Sequence, residues 1–198
     1  MVFCGIDPGI SGAIAVLGDV LTIQDKYALA VRFYDTPILT IKTGKKLKNT
    51  IDANAAALLL QAIHPDYVVI ESVQAMPGRP GAAGGPSRSM GATSAFNFGL
   101  GFGVWLGILA ALQIPFEKVH PKRWKAALMK DMGKEKDASR IKAMQLYPGS
   151  AKSLNLKKHH GRADALLLAE YGRRDYLGDK THITNHMENP TDEMKLPF

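Results

Sequence analysis

Short apolar runs, each bounded by glycine, proline or charged residues, recur along this chain. Most are rich in β-branched and aromatic residues, which is typical of strands in a buried sheet. The predicted strands are residues 2–6, 13–17, 26–34, 67–70 and 114–119. Pro8, Gly9 and Gly12 lie between the first two runs and predict a tight turn, so these two strands are expected to form a β-hairpin.

Longer segments rich in alanine and leucine predict helices between and after these strands. The predicted helices are residues 53–63, 94–113, a helix opened by Pro121, residues 137–146, and a last helix that ends at Gly172. Gly99, Gly103 and Gly107 recur at every fourth position of the second helix. Each glycine weakens a helix relative to alanine, so their recurrence predicts close packing against another backbone, either the sheet or a second copy of the helix.

The composition fits one globular domain. With 198 residues, 46% of them hydrophobic, the chain can bury one core, and we expect a domain over residues 1–174 and a polar tail over 175–198. The single cysteine, Cys4, excludes an internal disulfide and favours a reducing cytoplasm. No targeting signal is seen, and no apolar run reaches the roughly 20 residues of a membrane span, so membrane attachment is not expected.

The charge of the chain favours a polyanionic partner. Its formal net charge is +7 and its pI is about 9.5. Nucleic acid is the expected partner of such a chain, and a small-molecule substrate is not expected.

Acidic residues follow two of the predicted strands. Asp7 comes directly after residues 2–6, and Glu71 directly after residues 67–70. Functional groups of α/β sheets gather beyond the carboxyl ends of adjacent parallel strands, so both carboxylates are expected in one cleft. Asp164 stands among apolar residues of the last helix, and His160 precedes it by one helical turn on the same face. The structural alternatives are a turn-initiating Asp7, a helix-initiating Asp164 and a surface His160.

Basic residues suggest where a polyanion would bind. Residues 42–48 predict a basic loop, which is either a solvated charge run or a DNA contact. Residues 72–93 form a long segment with many glycines and prolines and no acid, and its arginines are expected to face phosphates. A phosphate bound at the start of the helix opened by Pro121 would offset the basic residues there. The predicted DNA contacts are Arg79, Arg88, Lys122, Arg123, Lys125, Lys134 and Lys136.

The ordered set of motifs resembles a known family. Asp7 in IDPGISGA, Glu71 in VVIE, the helix start HPKRWK and Asp164 in GRADALLLA resemble the RuvC-type Holliday junction resolvases of the RNase H-like superfamily, as a divergent branch. The resemblance implies an α/β fold with a five-stranded mixed sheet, its first three strands antiparallel, and helices on both faces. It also implies a homodimer that cuts four-way DNA junctions by paired symmetric nicks.

The resemblance further implies a metal-dependent reaction. Two Mg²⁺ ions, for which Mn²⁺ can substitute, are expected at each active site, bridged by Asp7 and held further by Glu71, Asp164 and His160. Lys136 takes the place of a catalytic-site lysine of the family. The chain departs from its relatives before Asp164, where they carry another acid or a histidine and this chain has Gly161 and His160.

Two other classes of protein share some of these features. Sugar kinases and actin-like ATPases also open with a strand, an acid and a glycine turn, but they need two such lobes and about twice this length. A catalytically impaired RNase H-like DNA-binding protein is the other alternative, because the residues before Asp164 are altered. A junction-cleavage assay with and without Mg²⁺ distinguishes the three.

Overall fold

A computed structural model describes residues 1–21, 27–44, 46–73, 91–133 and 135–178 of the chain. Three of the predicted DNA contacts, Arg79, Arg88 and Lys134, lie outside the described residues. Residues 179–198, most of the predicted tail, lie outside them as well.

One central sheet and one separate hairpin contain the strands. Their bounds are β1 Val2–Asp7, β2 Ala13–Leu21, β3 Tyr27–Asp35, β4 Ile38–Thr43, β5 Lys46–Ile51, β6 Tyr67–Glu71 and β7 Phe116–Val119. The central sheet has the order β3-β2-β1-β6-β7, and β4 pairs with β5. β1, β2 and β3 are antiparallel, whereas β6 is parallel to both β1 and β7. The predicted five-stranded mixed sheet with three antiparallel strands is confirmed.

Helices cover both faces of this sheet. Their bounds are α1 Ala53–Ile63, α2 Ala92–Ala111, α3 Pro121–Leu128, α4 Ala138–Leu146, α5 Ala151–Leu154 and α6 His160–Gly178. Alternate residues of the strands supply two apolar layers: in β1, Phe3 belongs to the layer under α3, α4 and α6, while Cys4 and Ile6 belong to the layer under α1 and α2. The period of two along each buried strand therefore places the helices, and the prediction of helices on both faces is confirmed.

Residues 42–44 and 46–48 of the basic segment are part of the β4–β5 hairpin. Thr43 pairs with Lys46 across its end, and Gly44 takes a φ of +62°. That backbone angle suits glycine, which has no Cβ to clash. Cross-strand pairing orders residues 42–43 and 46–48, so the prediction of a loop over these residues is wrong.

The last helix runs beyond its predicted end at Gly172. It continues to Gly178, and the ring of Tyr176 lies 5.7 Å from that of Phe3 in β1. Gly172 is buried against Val69, whose side chain would collide with an added Cβ. This glycine lets the helix approach β6 rather than ending it, so the compact part of the chain extends past residue 174.

Helix α2 is apolar on more than its buried face. Trp105, Ile108 and Leu109 are buried in the same core layer as β1 and β6, whereas Phe96 is 69% exposed and Leu100 is 50% exposed. By length and composition alone, this 20-residue helix could cross a membrane, since an 18-residue window of it has a mean hydropathy of 1.5, although 17% of that window is buried inside the protein. The sequence-based statement that no apolar segment reaches that length is therefore wrong, but the helix packs on the sheet through its buried face.

Candidate active site

Asp7 is held at the carboxyl end of β1 by the turn that follows it. The N–H of Gly12 donates to the carbonyl oxygen of Gly9 at 3.0 Å, and the hydroxyl of Thr36 donates to the same oxygen at 2.9 Å. The N–H of Gly9 in turn donates to Oδ1 of Asp7 over 3.4 Å. The glycine turn therefore orients the carboxylate as well as reversing the chain.

Glu71 lies at the corresponding end of the neighbouring parallel strand. Ile6 of β1 is paired with Ile70 of β6, so Asp7 and Glu71 follow at the same level of the sheet. The indole Nε1 of Trp124, in α3, donates to Oε1 of Glu71 at 3.0 Å. The structure thus brings these two acids together, and an aromatic side chain from the helix layer orients one of them.

Asp164 reaches the same place from α6. The helix crosses β1 at Gly5, where an added Cβ would collide with the carbonyl oxygen of Ala165. Oδ1 of Asp164 is buried and has no hydrogen-bond partner in the described part of the chain. A buried carboxylate oxygen without a donor is costly unless something else neutralises it, and a cation would do so.

Burial raises the pKa of all three acids, and repulsion from neighbouring carboxylates adds to the rise at Asp7 and Glu71. Burial, with the charges of Asp164 and Glu71, raises the pKa of Asp7 from 3.8 to about 6. Burial is also the largest cause that raises the pKa of Glu71, to which the charge of Asp164 adds, and it raises the pKa of Asp164 itself. The three groups form one electrostatic cluster, and such clusters are concentrated at functional sites.

His160 and Gly161 occupy the first turn of α6, one helical turn before Asp164. An added Cβ at Gly161 would lie 2.8 Å from the carbonyl oxygen of Ser11 and 3.0 Å from Oδ2 of Asp7. A side chain at this position would therefore displace the Asp7 turn. His160 is exposed, but its charge lowers the pKa of both Asp7 and Asp164, which places it beside the cluster.

A basic groove of about 1010 Å³ opens beside Asp164. The basic residues that line it are Lys125, Lys136, Lys157, Lys158 and His160, and the acidic residues that line it are Glu135, Asp137 and Asp164. Of the predicted DNA contacts, Lys125 and Lys136 thus line the groove, and the charge of Lys125 lowers the pKa of both Glu71 and Asp164. Such a groove offers a favourable surface for a phosphate backbone.

Lys122 and Arg123 lie outside this groove. Arg123 donates to Oε1 of Glu117 at 2.8 Å and lies 5.8 Å from the ring centroid of Tyr171. The N–H of Lys122 donates to Nδ1 of His120 at 3.2 Å, so one donor at the start of α3 has a partner within the chain. The predicted phosphate at this helix start stays a prediction.

The β4–β5 hairpin lies on the other side of the Asp7 turn. Its residues Lys48 to Thr50 line a cavity of about 300 Å³ together with Pro8, Gly9 and the first half of α2. Nζ of Lys48 donates to Oδ1 of Asn97 at 2.7 Å, which ties the hairpin to α2. The hairpin is therefore placed to contact a substrate that reaches Asp7.

The donor set of the cluster fits divalent cations. Carboxylate oxygens are the ligands that Mg²⁺ and Mn²⁺ prefer, and Oδ1 of Asp164 still needs a partner. In the described ranges, however, no three His, Cys, Asp or Glu side chains lie close enough together to hold an ion as they stand.

Several contacts of the site were not predicted from the sequence. Besides Trp124, they include the ion pair from Nε and Nη2 of Arg162 to Asp35, at 2.6 and 2.7 Å, which ties the first turn of α6 to the end of β3. These partners are 127 positions apart, and no local pattern reveals such a pairing. Lys157 and Lys158, which line the groove, were not predicted as DNA contacts either. Their signal in the sequence was a pair of adjacent basic residues directly before His159.

Comparison with known proteins finds a relative of part of the chain. No family model matches the chain. A segment of 69 residues is 44% identical to the chloroplast Holliday junction resolvase MOC1 of Chlamydomonas reinhardtii. The match covers 35% of this chain and 8% of that protein, so the chain corresponds to a small part of its curated relative.

Two solved structures of RuvC from Thermus thermophilus share the fold. RuvC in complex with a Holliday junction substrate is matched with a TM-score of 0.51 and 18% identity, over 89% of this chain and 95% of that one. A second RuvC structure is matched with a TM-score of 0.50 and 19% identity over the same shares of the two chains. A segment of this chain is therefore similar in sequence to a Holliday junction resolvase, and the chain shares the fold of RuvC, the RNase H-like fold that the motifs predicted.

Proposed function

We propose that the chain is a metal-dependent endonuclease that resolves four-way DNA junctions. The observation that carries this proposal is the cluster of Asp7, Glu71 and Asp164, three acids from three elements with raised pKa values. Ionised carboxylates gathered in a partly buried place destabilise a protein that binds nothing there. The name of the sequence relative, a Holliday junction resolvase, supports the same function.

The residues in and beside the cluster would have different roles in the reaction. Asp7, Glu71 and Asp164 would hold two divalent ions, preferably Mg²⁺, with His160 as a further ligand at the edge. When bound, such ions activate a water molecule and stabilise the leaving oxygen in phosphodiester hydrolysis. The turn around Gly9 orients Asp7, and Lys125 and Lys136 hold the scissile phosphate in the groove.

Branched DNA is the substrate that fits the surface around the acids. The basic groove lies on one side of the cluster, and the hairpin with Lys48 lies on the other. Both can contact backbone phosphates, which dominate the affinity of proteins for nucleic acids. The cytoplasmic location expected from the single cysteine belongs to this proposal.

A homodimer built on α2 would place two such sites on one junction. Phe96, Leu100, Gly99, Gly103 and Gly107 form an exposed apolar face, and no described atom lies within 4 Å of a Cβ added at any of these three glycines. A second copy of the helix could approach this open face closely, and a two-fold axis would make the two cuts symmetric.

One observation favours a catalytically impaired DNA-binding protein as the second candidate. Gly161 leaves no room for the extra ligand that relatives carry, because the backbone of Ser11 and Gly12 lies against it. Such a protein would bind four-way junctions and leave them uncut. The acids would then have a structural or regulatory metal in place of a catalytic one.

Cleavage of a synthetic four-way junction tests the proposal. Each strand is labelled in turn, and Mg²⁺, Mn²⁺ or a chelator is added; the control is a linear duplex of the same sequence. We expect paired nicks in two opposite strands of the junction with either metal and an intact duplex. Binding without cleavage in both metals would support the impaired protein, and no preference for the junction over the duplex would refute the proposed substrate.

A further inference from the structure

Trp124 contacts both an acid and a base of the site while its own ring is buried. Its side chain is 0% exposed and packs in the core layer between the sheet and α6. Nε1 donates to Oε1 of Glu71 at 3.0 Å, and Nζ of Lys125 lies 5.0 Å from the centroid of the indole ring. The positive charge of Lys125 lowers the pKa of both Glu71 and Asp164, so this ammonium lies near both acids.

The second tryptophan, Trp105, is equally buried but makes no such hydrogen bond with the described residues. Trp105 is also 0% exposed and lies in the opposite core layer, but its Nε1 has no hydrogen-bond partner in the described part of the chain. A tryptophan can therefore fill a core layer of this fold without its N–H reaching an acid. The bond from Trp124 to Glu71 joins residues that are 53 positions apart, and it orients a side chain of the site.

We propose that Trp124 is a positioning residue that holds the Glu71 carboxylate at the edge and the Lys125 ammonium over the face of one rigid ring. A bond to Oε1 fixes the orientation of a flexible glutamate and leaves its second oxygen for a cation. The face of the same ring attracts the ammonium, which keeps Lys125 beside the acids. Packing around the indole prevents it from turning away, so one buried side chain orders both charged groups before any ligand arrives.

This inference rests on the proposed function for its link to metal and DNA, but the hydrogen bond can be tested without either. The chain contains two tryptophans, so a ¹⁵N-labelled sample should show two indole N–H signals in an NMR correlation spectrum. Trp105→Phe removes one of them and assigns both. In metal-free protein, we expect Glu71→Gln to shift the Trp124 signal and to leave the Trp105 signal in place, because a charge-assisted bond becomes a neutral one. Mg²⁺ should likewise move the Trp124 signal alone.

Metal dependence of cleavage gives the second readout. Trp124→Phe keeps an aromatic ring but loses the N–H, and Trp105→Phe is the matched control for lost packing. We expect the Mg²⁺ concentration for half-maximal junction cleavage to rise about tenfold in Trp124→Phe and to stay unchanged in Trp105→Phe.

The outcomes separate this proposal from the proposed function. Equal effects of Trp124→Phe and Trp105→Phe on metal dependence would overturn the positioning role. A Trp124 signal that does not shift in Glu71→Gln would overturn it as well. If wild-type protein cuts no junction, or if Trp124→Phe does not fold, the NMR comparison of wild type with Glu71→Gln still decides the question.

Discussion

Asp7→Asn should stabilise the metal-free protein while it abolishes junction cleavage. Burial and the neighbouring acids raise the pKa of Asp7 from 3.8 to about 6. Because this pKa is higher in the folded state than in the unfolded chain, folding becomes less favourable as pH rises through that interval. This loss of stability is fully present above about pH 6 and disappears below pH 3.8, the ordinary pKa that Asp7 has in the unfolded chain.

The size of the effect follows from the shift. At about 1.4 kcal/mol per pKa unit, the shift of Asp7 corresponds to at most about 3 kcal/mol of lost stability at neutral and alkaline pH. Asparagine keeps the shape of the side chain and can still accept from the Gly9 N–H, but it carries no charge. We therefore expect Asp7→Asn to increase the free energy of unfolding by about 1 to 3 kcal/mol in chelator at about pH 8, and by less at about pH 5.

Asp35→Asn is a matched control with the opposite expectation. Asp35 is exposed, and the hydrogen bonds and charge of Arg162 hold its pKa below the usual value. Its carboxylate favours the folded state at neutral pH, so the same substitution there should not raise the free energy of unfolding. Urea denaturation of the three proteins in chelator at both pH values measures these differences.

Addition of Mg²⁺ completes the test. The ion should stabilise wild-type protein at about pH 8, because it binds the folded state, and should stabilise Asp7→Asn much less. The reasoning is refuted if Asp7→Asn is less stable than wild type in chelator at about pH 8, or if Mg²⁺ stabilises both proteins equally.

Three further predictions concern the other acids, the dimer and His160. Glu71→Gln and Asp164→Asn should each abolish nicking while junction binding in a mobility-shift assay survives, since the lysines of the groove supply most of the affinity; a variant that still nicks at the wild-type rate would remove that acid from the site. Gly103→Leu should weaken self-association in sedimentation without lowering the melting temperature of the monomer, because the space beyond this residue is open; a wild type that stays monomeric with junction DNA would refute the dimer. His160→Ala should lower Mn²⁺-supported cleavage about tenfold, while His160→Asp keeps activity with Mg²⁺; His159→Ala is the control, and a greater loss in that control would show that the ligand was assigned to the wrong histidine.

The sequence by itself determined the order along the chain of the five strands of the central sheet, and the identity of the acids that end two of them. Such strands can be recognised in the sequence because a strand that is buried on both faces of a sheet is a nearly continuous apolar run. Asp7 and Glu71 stood out because a charge directly after such a run lies at the edge of the sheet. The resemblance to RuvC-type resolvases supplied the pairing of the strands, which local patterns do not encode, and the RNase H-like fold confirms it.

Only the tertiary structure decided how the last helix and its partners complete the site. Gly172 looked like a helix end, but its missing side chain serves the approach of α6 to Val69, a residue more than a hundred positions earlier. The bond from Trp124 to Glu71 and the ion pair from Arg162 to Asp35 likewise join distant segments. Local propensity depends on near neighbours, whereas close approach and hydrogen bonding between helix and sheet depend on the packing of the whole chain. The position and the charge state of the acids are therefore properties of the fold rather than of the motifs that contain them.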